Sequence, residues 1–300
     1  MPTDQLKLPN YGGQALIEGV LMRGSRFVAA AFRAPDGQII THTEELEAIY
    51  KSGIRKIPFL RGLLLLWDAL GLGMRFLTIS ANIQVKEDNE KLEGAPLWGT
   101  IIFSLGLGIS LFFLLPAAIG HWSESLLSIN GWISNIFEGL IRLLLVVGYI
   151  WGVGKIPDIA RVFAYHGAEH KTINAFEAGA ELTPEIVGKY SLEHPRCGTA
   201  FLLTLIILSI IVFSLFGPMD IISRLLSRLL LLPLLAGAAY EYIRFTANHM
   251  DSPLVRLMVI PNLSLQHLTT RQPDAQMLEV AIMAFKTMLA KEQNEPMIVP

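Results

Sequence analysis

Leu97–Ile119 runs without a single charged side chain. Roughly 20 apolar residues suffice to cross the hydrocarbon of a bilayer, so this stretch is long enough to span one. Three more apolar segments follow it. Ile136–Val153 carries Arg142 near its beginning and Trp151 near its end. Gly198–Phe216 is nearly pure Leu, Ile, Phe and Val, and Ile221–Phe245 holds Arg224 and Arg228 early, Pro233 in the middle and Tyr240-Glu241-Tyr242 late. The whole chain of 300 residues is 52% apolar and 17% charged, above and below the usual values for soluble proteins. The expectation is a mainly α membrane protein of about four transmembrane helices, with a small N-terminal β unit and a cytoplasmic helical module.

Loop charges set an orientation. The connection 120–135 contains no Lys or Arg, whereas 154–197 contains Lys155, Arg161, Lys171, Lys189 and Arg196. The positive-inside rule then places the N terminus, the 154–197 loop and the C terminus in the cytoplasm. Arg224 and Arg228 oppose this mildly, since they fall near the opposite turn at Gly217-Pro218. The partner implied is the lipid bilayer. A net charge of −2 gives no electrostatic reason to expect nucleic acid, and nothing points to a protein partner. Cys197 is the only cysteine, so no intrachain disulfide forms. The opening MPTDQLKLPN has no apolar core and does not read as a secretory signal.

The chain divides into six parts. Residues 1–56 form a β/α unit, in which Ala15–Glu18, Phe27–Arg33 and Gln38–Thr41 read as strands and Pro35-Asp36-Gly37 as a turn. Residues 43–56 fit an amphipathic helix with Glu44, Glu45 and Glu47 early and Lys51, Arg55 and Lys56 late. Residues 57–96 comprise an apolar helix broken by Arg61, Asp68 and Arg75, better suited to the interface than to clean spanning, and a polar linker. Then come a transmembrane hairpin (97–153), a cytoplasmic module (154–197), a second hairpin (198–245) and a tail (246–300). In that tail Val255–Leu268 suits the membrane surface, and Leu278, Ile282, Phe285 and Leu289 mark a packing helix.

Within the 154–197 module, Pro157-Asp158 opens a helix and Gly179 closes it. That helix carries His166-Gly167-Ala168-Glu169-His170, or His-x-x-Glu-His, an order similar to the inverted zinc-peptidase motif. His166 and His170 project from one face a turn apart, the spacing at which two imidazoles hold one divalent ion. Glu169 flanks that face as a candidate general base. His194 and Cys197 supply two further ligand types, so three of the 7 histidines and the sole cysteine fall in one short loop. Glu241, in the last apolar segment, is a candidate third or fourth ligand; the alternative is an ion pair with Arg244. His249 and Asp251 are weaker candidates, and Glu177, about 10 Å along the helix axis from His170, is too distant to be more than a supporting group. A mixed His/Cys set favours zinc or iron over magnesium or calcium, with zinc the leading choice.

Near the N terminus, four glycines surround Gln14, Glu18 and Arg23. Two readings stand: a β turn with a surface charge pair, or three side chains reaching the metal site. The functional readings are likewise two. One is a metal-dependent hydrolase at the cytoplasmic membrane face, acting on a lipid-linked or membrane-peptide substrate. The other is a non-catalytic scaffold or assembly protein with a structural metal site. A transporter is disfavoured because the halves show no inverted repeat.

Several blocks match one family in order: Gly12-Gly13-Gln14-Ala15, Glu18-Gly19-Val20, Met22-Arg23-Gly24, Tyr165 to Lys171, His194-Pro195-Arg196-Cys197-Gly198-Thr199, Tyr240-Glu241 and Leu268 to Asp274. Together they resemble the domain of unknown function 1385 family, bacterial and plastid membrane proteins labelled as predicted metal-dependent enzymes. The resemblance implies a membrane location and a metal site built from the His and Cys motifs.

Overall fold

The computed structural model describes residues 11–46, 57–85, 94–195 and 197–294. Its N-terminal part is a four-stranded antiparallel meander: β1 (Gly12–Leu16), β2 (Gly19–Arg23), β3 (Phe27–Arg33) and β4 (Ile39–Glu45), in the order β1-β2-β3-β4. Leu16 pairs with Gly19, so Ile17-Glu18 is a two-residue hairpin loop, and Glu18 takes a positive φ of 50° there. Sequence reading put a strand on Ala15–Glu18 and missed β2. The reason lies in burial: Gly19 to Met22 are all buried, so the period-two signal of a half-exposed strand is absent. The Pro35-Asp36-Gly37 turn is as expected, with Gly37 at φ 86° and the Asp36 carboxylate accepting from Gln38 N–H. β4 extends through Glu45, which pairs with Phe27, so the expected helix is replaced by strand at residues 43–45; the cross-strand ladder outweighs a charge gradient. The remainder of that expected helix, 47–56, lies outside the described residues.

Helices cover both faces of the sheet. Leu16, Leu21, Val28, Ala30 and Phe32 meet Phe76 and Leu72 of α1 (Leu60–Gln84). On the other face Val20, Met22, Ala29 and Ala31 meet Tyr165 and Ala168 of α5 (Pro157–Glu177) and Phe285 and Met288 of α10 (Ala275–Asn294). The three alanines of β3 let helices approach from both sides. α1 also reaches the helical bundle: a Cβ on Gly62 would stand 2.9 Å from that of Tyr240 in α8 (Ile221–Asn248). It therefore ties sheet to bundle.

Among the described residues, three helical stretches are long and apolar enough to cross a membrane: Pro96–Glu124, Gly131–Val153 and Ile221–Asn248. The first comprises α2 (Gly94–Ile109), a π turn (Ser110–Leu114) and α3 (Leu115–Leu127); the second is α4 (Gly131–Val153) and the third α8. The fourth expected span is α7 (Thr199–Ser214), which has 16 residues and at about 1.5 Å each is shorter than the roughly 30 Å hydrocarbon layer. It sits in the middle of the bundle, packed by α4, α8 and α9 (Pro253–Thr269). α9 buries Val255, Val259 and Leu265 and exposes Leu254, Leu257 and Ile260.

A proline follows the π turn. Pro116 has no N–H, so the carbonyl of Phe112 loses its helical donor. Arg142 Nε donates to that oxygen at 3.0 Å instead. The same guanidinium donates to Glu138 Oε1 at 2.8 Å and Ser209 Oγ at 2.9 Å, and Arg228 donates to both Glu138 oxygens at 3.0 and 2.7 Å. All three ionic side chains are at most 1% exposed. Arg224 and Arg228 are thus bundle-interior charges held by carboxylates, which removes their conflict with the loop-charge pattern.

Candidate metal centre

Helix α5 begins as its sequence dictates, with Pro157 in the first turn and Asp158 at the positive end of the dipole, and it stops before Gly179 at φ 70°. It lies close against the segment after α9. A Cβ on Gly167 would collide with the carbonyl oxygen of Arg271, so a side chain at position 167 is excluded. One face of α5 then fixes the following loop. Lys171 Nζ donates to the carbonyls of Gly188 and Tyr190 at 2.8 and 2.5 Å, and Asn174 Nδ2 donates to those of Ser191 and Glu193, both at 3.0 Å. Gln266 of α9 completes the clamp: its amide accepts from His194 N–H and donates to His194 C=O, each at 2.9 Å. The loop delivers His194 and Cys197 beside the helix.

The two α5 imidazoles are oriented alike. His166 Nδ1 lies 2.8 Å from the carbonyl oxygen of Thr269, and His170 Nδ1 lies 2.5 Å from that of Leu192. A carbonyl only accepts, so both Nδ1 atoms carry the proton and both Nε2 atoms present a lone pair. This backbone tethering of the non-ligating nitrogen is what metal-bound histidines typically show. His166 Nε2 lies 3.2 Å from Cys197 Sγ, and the ligand atoms of His166, His170 and Cys197 all fall within 4.8 Å of one another. Tetrahedral zinc with ordinary Zn–N and Zn–S bonds needs N···S separations of about 3.5 Å. His170 Nε2 is buried with no hydrogen-bond partner among the described residues. An orphaned lone pair in that position is costly unless an ion or water takes it. These donors therefore fit a transition-metal ion.

His194 stands just outside this triplet. Its ring centroid is 5.8 Å from that of His170, its Nε2 is also buried without a hydrogen bond, and Glu177 Oε2 is 3.6 Å away. Burial holds His194 below the ordinary imidazole pKa, with Glu169 opposing. The Glu169 carboxyl is itself pushed above its usual range by burial; His166, His194 and a hydrogen bond from Gly13 N–H oppose this. Glu169 Oε2 lies 4.0 Å from His166 Nε2. A Cβ on Gly13 would be 2.9 Å from Glu169 Cγ and 2.5 Å from the Leu21 carbonyl, so only glycine lets the β1 edge strand come this close.

His166, Glu169, His194 and Cys197 open onto a cavity of about 230 Å³ that Gln14, Arg23 and Leu72 also line. The glycine-rich stretch thus divides. Gln14 and Arg23 reach the site. Glu18 does not: it accepts from Arg161 through both oxygens, at 2.5 and 2.6 Å, and from Tyr165 O–H at 3.2 Å.

Glu241 is not brought to the histidines. Arg61 grips its carboxylate, with Nε to Oε1 at 2.7 Å, and Phe59 N–H adds a third donor at 3.2 Å. The sequence reading had the ion pair in view but named Arg244; the partner comes from α1, far off in the chain. His249 bonds back to the Phe245 carbonyl at 2.8 Å, and neither it nor Asp251 lines the cavity. The tethers at Leu192 and Thr269 were missed because a backbone carbonyl has no sequence signature. Gln266 carried none either, although Thr269 lies in one of the matched blocks.

Comparison with known proteins gives a family and no activity. The chain is 32% identical over 310 residues to the uncharacterized protein YqhQ of Bacillus subtilis (strain 168), covering 96% of each. No solved structure matches. A family model described as a protein of unknown function, DUF1385, matches residues 57–291, and with the full-length relative this shows that the chain belongs to the DUF1385 family.

Proposed function

We propose that this protein is an integral-membrane, metal-dependent hydrolase. The observation that carries the reading is the convergence of His166 Nε2, His170 Nε2 and Cys197 Sγ, with both imidazoles tethered through Nδ1 to backbone carbonyls. A bound divalent ion, zinc by ligand type, would polarise a scissile carbonyl or phosphoryl group. Glu169 sits beside the donors with its carboxylate fixed by Gly13 N–H, placed to take a proton from a water in the cavity and return it to a leaving group. Gln14 and Arg23, in the same cavity, orient the substrate.

The cavity is lined by β1 and β2, α5, the 194–198 loop and Leu72 of α1, the helix that also packs on α8, and this link to the apolar bundle supports a lipid-linked or membrane-peptide substrate. We read α7 as a fourth, short crossing. With four crossings and the Lys and Arg of 154–197, the two termini and the α5 module lie on the cytoplasmic side.

The buried, unpartnered Nε2 of His194 favours a second reading. If it moves in to complete a closed four-donor shell, the ion is structural and the protein a scaffold. Metal analysis of untagged protein tests the common premise: about one equivalent of transition metal is expected, and its absence overturns both readings. Glu169→Gln separates them. In the enzyme it retains metal and abundance but loses the in vivo function; in the scaffold it changes neither.

A further inference from the structure

A second polar cluster lies at the end of the bundle away from α5. Its centre is Glu138 between Arg142 and Arg228, and its edge is Arg224, whose guanidinium binds Glu124 and donates to Ser134 Oγ at 3.0 Å. Phe213 closes it from α7, its ring centroid 5.5 Å from the Arg142 guanidinium carbon and 4.3 Å from that of Arg228. Among the described residues, three guanidiniums thus face two carboxylates. Arginine does not shed its proton, so one positive charge remains inside an apolar bundle.

Hydrogen bonding shows a matching deficit. Arg224 is 0% exposed, yet among the described residues its Nε–H has no partner. Gly120 of α3 packs against the same guanidinium, its Cβ position 3.3 Å from Arg224 Nη1. An excess cation and the unmet Arg224 Nε–H call for the same occupant, an acceptor carrying one negative charge.

We propose that this end of the bundle binds a small inorganic monovalent anion of the chloride class, beside Arg224. Full burial of Arg224 argues for a free ion over a lipid phosphate, because a headgroup cannot reach a side chain with no exposed surface. Glu124, 20% exposed, marks the route in.

The test is thermal unfolding of the purified full chain in detergent, titrating chloride against gluconate at constant ionic strength. Wild type is expected to show a saturable rise in Tm of a few degrees, reproduced by bromide. Arg224→Gln cancels the excess charge and should abolish the rise; Glu124→Gln enlarges the excess and should increase it. Should one variant fail to fold, the other still decides. Equal Tm in both salts overturns the proposal, as does the same rise in wild type and Arg224→Gln, which would be a general salt effect or water filling the site. A response to added phosphatidylglycerol without one to chloride also overturns it, placing a lipid headgroup there. None of these readouts depends on the metal centre.

Discussion

The two polar clusters described above lie toward opposite ends of α7 and are built on opposite principles. Around Glu138, side chains bind side chains: each carboxylate oxygen has a guanidinium donor, and Arg142 even supplies the carbonyl freed by Pro116. Around His170, backbone carbonyls hold one side of each α5 imidazole; the other side meets the Cys197 sulfur on His166 and, among the described residues, no hydrogen-bond partner on His170. The first arrangement fastens helices together. The second spends its hydrogen bonds on aiming atoms at a common point, which only a ligand makes worthwhile.

The largest expected effect lies in the first cluster. Glu138→Leu leaves Arg142 and Arg228 buried without a counter-charge, and breaking a buried pair in this way costs about 3–5 kcal/mol. Thermal unfolding in detergent should show the loss, and a near-wild-type Tm would mean the cluster is not a fastener.

Next is the metal. Wild type at a metal concentration about 100-fold above Kd should gain roughly 2.7 kcal/mol over chelated protein. Cys197→Ser should lose most of that gain while its chelated form stays within about 1 kcal/mol of wild type. If chelated wild type and variant differ as much as the metal-loaded forms do, Cys197 serves packing and not the ion.

Gly13→Ala comes third. Its methyl would press on Glu169 and the Leu21 carbonyl, an overpacking cost of about 1–3 kcal/mol. Function should fall while bound metal, measured by elemental analysis, remains, since Gly13 touches Glu169 and none of the three donors.

The smallest effect is the pH dependence of Glu18. Arg161 holds its carboxyl below the usual range, so its stabilisation is present above the unfolded pKa of about 4.3 and is lost as pH falls through the lower folded value. Arg161 is half exposed, so screening limits the pair to under about 1 kcal/mol. Glu18→Gln should flatten that acid limb of the stability curve without changing metal content; a change in metal would tie the hairpin loop to the site after all.

Much of this was legible in the chain. Uncharged runs of spanning length, Pro157-Asp158 with Gly179, and two histidines a turn apart are local patterns, and local patterns survive folding because helix geometry is the same everywhere. Hence α5, the three long apolar stretches and the His166–His170 pair stand where the sequence put them. Cys197 joined them because its loop is short. β2 went unseen because burial on both faces erases alternation. Glu241 was mistaken for a ligand because its partner, Arg61, is distant in sequence, and a carboxylate among apolar residues signals only that some partner exists.

The sequence alone therefore determined the chemistry on offer: which side chains can bind an ion, and which stretches belong in a membrane. Tertiary structure alone decided the assignments. It sent Glu241 to Arg61, Glu18 to Arg161 and Arg228 to Glu138, and it left His170 Nε2 facing Cys197. The physical reason is that a buried polar group must find a partner in space, and spatial neighbours are set by how helices and sheet pack, which no local pattern records.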